Sequence, residues 1–178
     1  MRIIAGRYRG KKLLSLGDAQ IRPTGDRVKE SVFQILSDRL PSARVLDLFC
    51  GSGALGIECL SRGAGEAVFN DGSKESLAVA QKNLKAVGVK CILMNYDFQT
   101  CLSRLTGQFD LIFCDPPYKE DYCNTVLTQI KDNDLLKQNG LVVYESEREE
   151  VPAQGWRLAD FRKYGRCKVA FFARGDTE

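Results

Sequence analysis

A chain of 178 residues, 44% hydrophobic and 28% charged, carries enough apolar side chain for one sizeable core and too much for a disordered polymer. No apolar run approaches the ~20 residues that span a bilayer, and Met1 to Arg7 lacks an apolar signal-peptide core, so a cytoplasmic protein is expected. Histidine is absent, which excludes Ser-His-Asp triads, histidine general bases and histidine metal ligands.

The net charge of +3 is small but unevenly placed. Arg2, Arg7, Arg9, Lys11 and Lys12 crowd the first twelve residues without an acid, and Arg157 to Arg174 repeats the bias. The seven cysteines are odd in number and include no Cys-x-x-Cys spacing. Neither a disulfide framework nor a zinc ribbon follows; reduced, mostly buried thiols and no metal are expected.

In chain order, residues 2–15 alternate around Gly6 and Gly10, which suggests a short β-hairpin or strand pair with a basic loop. Such a loop can follow a phosphate backbone while Tyr8 stacks on a base. Thr24 is the expected N-cap of a helix carrying Val28, Val32, Ile35 and Leu36 at helical spacing. Arg22, Arg27 and Lys29 lie around its start, where cations oppose the helix dipole and an anionic partner would relieve them.

From Arg44 strands and helices alternate. Strands are expected at 45–49, 67–70, 91–94, 109–114 and 141–145. Helices are expected at 54–61, 73–87, near 98–105, and from Tyr122 to Leu136 with an end at Asn139-Gly140. That order means parallel βαβ units with right-handed crossovers. The end breaks it: 156–161 and 167–173 read as two strands joined around Tyr164-Gly165-Arg166, which places one antiparallel strand in the sheet.

Two stretches carry the chemistry. Gly51-Ser52-Gly53-Ala54-Leu55-Gly56 follows the first strand of this series and opens its helix, in the Gly-x-Gly-x-x-Gly pattern of nucleotide cofactors. Asp71 ends the next strand, where a carboxylate can take both ribose hydroxyls. Asp47 is awkward beside a pyrophosphate but suits a cationic ammonium, which favours S-adenosylmethionine over NAD. Asp97 and Phe98 follow the third strand, where they can hold an adenine, Asp97 serving equally as a helix N-cap. The second stretch is Asp115-Pro116-Pro117-Tyr118: neither proline can donate in a ladder, so the fourth strand must stop there, at the edge where open α/β sheets bind ligands. Cys114 reads as a buried strand cysteine, not a nucleophile.

Val45 to Gly56 resembles methyltransferase motif I, and Asp115-Pro116-Pro117-Tyr118 resembles the (Asn/Asp)-Pro-Pro-(Tyr/Phe) motif of amino-group methyltransferases. Arg2-Ile3-Ile4-Ala5-Gly6 with Arg9-Gly10-Lys11-Lys12, then Arg22-Pro23-Thr24 with Arg27-Val28-Lys29-Glu30, is similar to the bacterial small-subunit rRNA (guanine-N2)-methyltransferases of the RsmD type. The resemblance implies a class I S-adenosylmethionine-dependent methyltransferase: a Rossmann-like α/β sheet of seven strands, the last antiparallel, over residues 21–178, preceded by a basic β-hairpin extension over 1–20. It implies methyl transfer to the exocyclic N2 of one guanine in 16S rRNA, on the naked RNA or in an assembling 30S particle, by a monomer without a membrane partner. Asp115, Pro116 and Tyr118 are then the catalytic set. Asp47, Gly51, Gly53, Asp71, Asp97, Phe98 and Thr24 hold the cofactor, and Arg2, Arg7, Arg9, Lys11, Lys12, Arg22, Arg27 and Arg166 meet RNA. The alternatives are an adenine-N6 methyltransferase of DNA or RNA, and an inactive methyltransferase-like RNA-binding protein; an NAD-dependent oxidoreductase is disfavoured by Asp47.

Overall fold

The computed structural model describes residues 1–17, 23–117 and 121–175, and the side chains of Pro23 and Thr24 also fall outside its description. Arg22 and Tyr118 therefore lie outside the described residues.

Helix α1 spans Pro23–Ile35. Proline at the first helical position costs nothing, because that N–H has no intrahelical partner. Thr24 thus lies inside the first turn and is not the N-cap. Four of the βα units follow in register: β1 (Arg44–Asp47) and α2 (Ala54–Ser61), β2 (Glu66–Asn70) and α3 (Lys74–Val87), β3 (Ile92–Met94) and α4 (Phe98–Arg104), β4 (Phe109–Cys114) and α5 (Cys123–Asp132). The chain closes with β5 (Leu136–Ser146), β6 (Trp156–Tyr164) and β7 (Cys167–Arg174).

The seven strands form one sheet in the order β3-β2-β1-β4-β5-β7-β6. β1 to β5 pair in parallel, and β7 lies antiparallel between β5 and β6. This is the architecture expected from the sequence. Both faces of the sheet are covered, so the central strands are continuous apolar runs. Val45, Leu111 and Phe113 face α1, α2 and α3, while Leu46, Ile112 and Cys114 face α4 and α5. The period of two along each strand sorts the residues between the layers.

The fourth helix of the series ends earlier than expected. Asp134 stands at φ +49°, the Leu135 N–H bonds to the Ile130 carbonyl at 3.0 Å, and the Asp134 N–H bonds to Lys131 at 3.0 Å. This Schellman closure stops α5 with an aspartate where glycine is the usual signal. Asn139-Gly140 instead lies inside β5, where the register with β4 shifts between the Phe109–Leu136 and Leu111–Leu141 pairs. Gly140 is required there: a Cβ would stand 2.7 Å from Leu136 Cδ1 and 3.0 Å from the Asp110 carbonyl oxygen.

Residues 1–16 form a strap over the layer of α1, α2 and α3. They fold back on themselves at one antiparallel bridge, Arg2 to Lys12, supported by Ile3 N–H to Lys11 O at 3.0 Å and Leu13 N–H to Met1 O at 2.9 Å. Ile3 and Leu13 are buried in the core beneath. Gly6, at φ +82°, presses so closely on α2 that a Cβ would lie 1.9 Å from the Ser61 oxygen.

Candidate functional site

Four adjacent parallel strands, β3, β2, β1 and β4, bring their carboxyl ends to one edge of the sheet. Asp97, Asp71, the Gly51 turn and Asp115 each follow one of them, so most of the sequence-derived cofactor and catalytic residues meet at this edge. Thr24 belongs to α1, with its side chain outside the described residues.

The glycine turn is shaped by backbone demands. Gly51 has φ +53° and Gly53 φ +80°, both in the left-handed region, and Gly53 is the residue before α2. A Cβ on Gly56 would stand 2.3 Å from the Phe69 ring, so the third glycine lets α2 lie against β2. The Gly51 N–H donates to Asp71 Oδ2 at 2.8 Å and the Ser73 N–H to Asp71 Oδ1 at 2.8 Å. Asp71 is thereby fixed beside the turn, and each carboxylate oxygen keeps a lone pair for a ribose hydroxyl.

Asp47 is 2% exposed and accepts the Gly56 N–H at 3.0 Å. Burial raises its carboxyl to about 7, the Gly56 hydrogen bond opposes the rise, and the nearby Asp71 charge adds to it. The residue braces the turn from inside, and its reach toward a ligand is electrostatic. Asp97 caps α4, accepting from the Thr100 hydroxyl at 2.6 Å and the Thr100 N–H at 2.9 Å, which hold its carboxyl below the usual range. Its exposed carboxylate and the half-buried Phe98 stand next to each other at the start of α4.

Asp115 and Pro116 leave β4 beside this cradle. Burial, with the Glu145 and Asp47 carboxylates nearby, pushes the Asp115 carboxyl well above the usual range. Cys114 is 1% exposed, and burial drives its thiol up, so it stays protonated in the core as the sequence expectation had it. Asp47, Asp71 and Asp115 thus gather acidic groups around the turn. That donor set fits the sulfonium and ammonium of S-adenosylmethionine and would repel a pyrophosphate.

Several residues at this edge escaped the sequence. Asn70, 1% exposed, donates to the Leu48 and Tyr96 carbonyls at 3.1 Å each and accepts the Tyr96 N–H at 3.2 Å, tying the ends of β1 and β2 to the β3 loop. Phe98, expected at this edge, forms an aromatic trio with Phe49 and Tyr122, which were missed: Phe98 and Tyr122 lie 4.7 Å apart between centroids, Phe49 and Tyr122 are parallel at 6.3 Å. An aromatic residue between the strand and the first turn of the next helix, after each of β1, β3 and β4, was the available signal.

The basic residues divide into two groups. Arg166 occupies the turn between β6 and β7. Through the Lys168–Ser146 and Cys114–Tyr144 register pairs, that turn lies at the same edge as Asp115. Arg7 and Tyr8 instead sit at the far end of α2, where the Arg7 N–H bonds to Ser61 O at 2.6 Å and the Tyr8 N–H to Ser61 Oγ at 2.9 Å. An eight-residue helix spans about 12 Å, which sets their distance behind the Gly51 turn. Lys11 reaches the Ala86 carbonyl at 3.4 Å, near the end of α3, and Lys12 takes part in the bridge to Arg2. Arg2, Arg9 and Arg27 line one cavity of about 430 Å³ between the strap and α1, together with Asp26 and Glu30.

The family model described as Conserved hypothetical protein 95 matches residues 1–173. The chain is 38% identical to the Bacillus subtilis (strain 168) protein named "Putative rRNA methyltransferase YlbH", over 98% of this chain and 99% of that one. It is 32% identical to ribosomal RNA small subunit methyltransferase D of Escherichia coli (strain K12), covering 98% of this chain and 90% of the other. The solved Escherichia coli structure titled "Putative methyltransferase yhhF" superposes with a TM-score of 0.88 at 31% identity, over 99% of both chains.

Proposed function

We propose that this chain, which belongs to the Conserved hypothetical protein 95 family and is 35% and 32% identical to two relatives named ribosomal RNA small subunit methyltransferase D, methylates the exocyclic N2 of one guanine in 16S rRNA. It is an S-adenosylmethionine-dependent methyltransferase. The observation that carries the reading is the placement of Asp115-Pro116 at the end of β4, on the same edge as the Gly51 turn and Asp71.

S-adenosylmethionine supplies an electrophilic methyl on sulfur. The residues of this chain do the rest. The lone pair of a guanine amine is delocalised into the purine, so the nitrogen attacks poorly unless it is drawn toward tetrahedral geometry. Asp115 and the Pro116 carbonyl accept its two N–H bonds, and Tyr118 stacks on the base. Positive charge developing on the amine nitrogen would draw the Asp115 carboxyl, raised in the free chain, into its ionised form, and that carboxylate would stabilise the transition state. The amine proton then leaves to Asp115 or to water. Holding both reactants in line contributes several kcal/mol, up to the ~7–11 of ideal cases. Asp71, Asp97, Phe98, Gly51, Gly53, Asp47 and Thr24 hold the cofactor.

Guanine N2 inside a duplex cannot enter this edge, so the target base is single-stranded, looped or flipped. Arg166 meets the RNA beside the pocket. Arg2, Arg7, Arg9, Lys11, Lys12 and Arg27 give a second contact that neutralises phosphates farther along, and Arg22 is assigned to the RNA from the sequence alone. The separation of the two basic groups suits an extended substrate, and we place the reaction on a cytoplasmic, assembling 30S particle, catalysed by a monomer. Among the described residues no helix is long and apolar enough to cross a membrane.

The test is transfer of labelled methyl from S-adenosylmethionine to unmodified 16S rRNA, to 30S particles and to duplex DNA, with the product nucleotide identified by mass spectrometry. N2-methylguanosine in the ribosomal substrates is the expected product. N6-methyladenine, or equal activity on duplex DNA, would overturn the assignment.

A further inference from the structure

We propose that the amino-terminal strap is part of the cofactor site: Leu16 is an apolar cover over the glycine turn, and Asn83 is the residue that positions it. The strap runs back from the far end of α2 and reaches the catalytic edge at residues 14–17. Leu16 is 41% exposed, and its Cδ1 lies 3.6 Å from where a Cβ on Gly51 would stand. An exposed leucine alone signals nothing. This one stands on the open side of the turn, where a Cβ on Gly51 would meet no atom of any residue beyond its chain neighbours within 4 Å except that methyl.

The second observation is the residue that holds the strap there. Asn83, on α3, is 1% exposed, yet its carboxamide makes three backbone contacts. Oδ1 accepts the Leu14 N–H at 2.8 Å, and Nδ2 donates to the Leu14 carbonyl at 3.0 Å and to the Ser52 carbonyl at 2.9 Å. It pairs with Leu14 as a neighbouring strand would, and the same amide nitrogen grips the middle of the Gly51-Ser52-Gly53 turn. A buried carboxamide is costly unless fully bonded, and this one spends its bonds on fixing one segment relative to the other. Leu16 is thereby held against the turn on which the cofactor lies. Its methyl groups would then supply apolar surface against the aliphatic part of a cofactor bound on the turn.

Isothermal titration of the full chain with S-adenosylhomocysteine, without RNA, tests the cover. Leu16→Ala should weaken binding roughly tenfold, from the apolar surface that Leu16 would no longer bury. Leu14→Ala, a change at a 54% exposed side chain in the same strap, should stay within twofold. Asn83→Ala should raise KM for S-adenosylmethionine while kcat at saturating cofactor stays within twofold; a purely structural defect would lower kcat or the active fraction. In the Asn83→Ala background, Leu16→Ala should add less than twofold, because the cover is already displaced. Leu16→Ala binding like the unaltered chain, Leu14→Ala weakening equally, or effects that multiply would overturn the inference, and the leucine pair decides even if Asn83→Ala fails to fold. The inference rests on the methyltransferase reading: an unaltered chain that binds no S-adenosylhomocysteine would overturn that reading first.

Discussion

The Gly51 amide donates to Oδ2 of Asp71 at 2.8 Å, across the gap between the β1 and β2 carboxyl ends. The glycine turn and Asp71, the acid proposed to take the ribose, are therefore one mechanical unit. Asp71→Ala removes the acceptor for Gly51 and for Ser73 together, so the turn loosens and the ribose contact disappears. Affinity for S-adenosylhomocysteine should fall by at least tenfold in a titration. Asp71→Asn keeps one oxygen acceptor and should fall between. Equal binding by all three chains would remove Asp71 from the site.

Asp115 tests the other half of the edge. Asp115→Ala should reduce methyl transfer by more than a hundredfold while S-adenosylhomocysteine binding stays within about threefold, since the lost interactions belong to the amine in the transition state. Asp115→Asn retains an acceptor and should keep measurable turnover. Loss of cofactor binding without loss of kcat would assign Asp115 to the cofactor instead.

How much of this was legible in the sequence follows from the range of the interactions. The βα alternation, the glycine turn and the Pro-Pro strand end are local, and each rests on backbone limits that one residue type satisfies. The end of α5 was missed because Asp134 took the left-handed position that glycine usually marks. Asn70, Asn83 and Glu58 were missed for a different reason. Glu58 interrupts an apolar stretch, Asn70 ends one, and Asn83 looks like one more polar residue beside Gln81, Lys82 and Lys85; the partners of each are 20 or more positions away in the chain: Asn70 to Leu48, Asn83 to Ser52, Glu58 to Ile4. Local pattern does not reveal such partners. The basic residues show the same limit, since charge clustering revealed both groups but not that Arg166 lies at the catalytic edge and Arg7 at the far end of α2.

Asp47 makes stability depend on pH. Its folded carboxyl titrates at about 7. Unfolded, it titrates near the ordinary aspartate value of about 3.9. Between these values the folded chain holds a proton that the unfolded chain has released. Stability from this group is therefore greatest below the unfolded value, falls as pH rises through the window, and levels above it. Asp115, also raised, acts in the same direction. Asp47→Asn keeps an acceptor for the Gly56 N–H and has nothing to titrate. Urea unfolding at pH 4.5 and pH 8 should then differ less than in the unaltered chain, by up to about 3 kcal/mol. An unchanged difference would place the pH dependence elsewhere.

Glu58 holds the strap from within the core. Fully buried on α2, it accepts the Ile4 N–H at 2.9 Å and the Ala5 N–H at 3.0 Å, and it pairs with Arg62 at 2.8 Å and with the buried Lys29 at 3.6 Å. Burial lowers the Lys29 ammonium and the Glu58 charge opposes that shift, so each ion depends on the other. Glu58→Ala leaves two amides without acceptors and a buried ammonium without its partner, at a cost of about 3–5 kcal/mol. The same change frees the strap, so trypsin should cut after Arg7 and Arg9 faster than in the unaltered chain. Lys29→Met added to Glu58→Ala should recover part of the stability but not the protease resistance, because the Ile4 and Ala5 amides remain unbonded. Urea unfolding and timed proteolysis separate the two effects. A loss below about 1 kcal/mol with unaltered cleavage would show that the strap is held without Glu58, by Ser61, Asn83, the Lys29 bond to the Arg2 carbonyl and the buried Ile3 and Leu13.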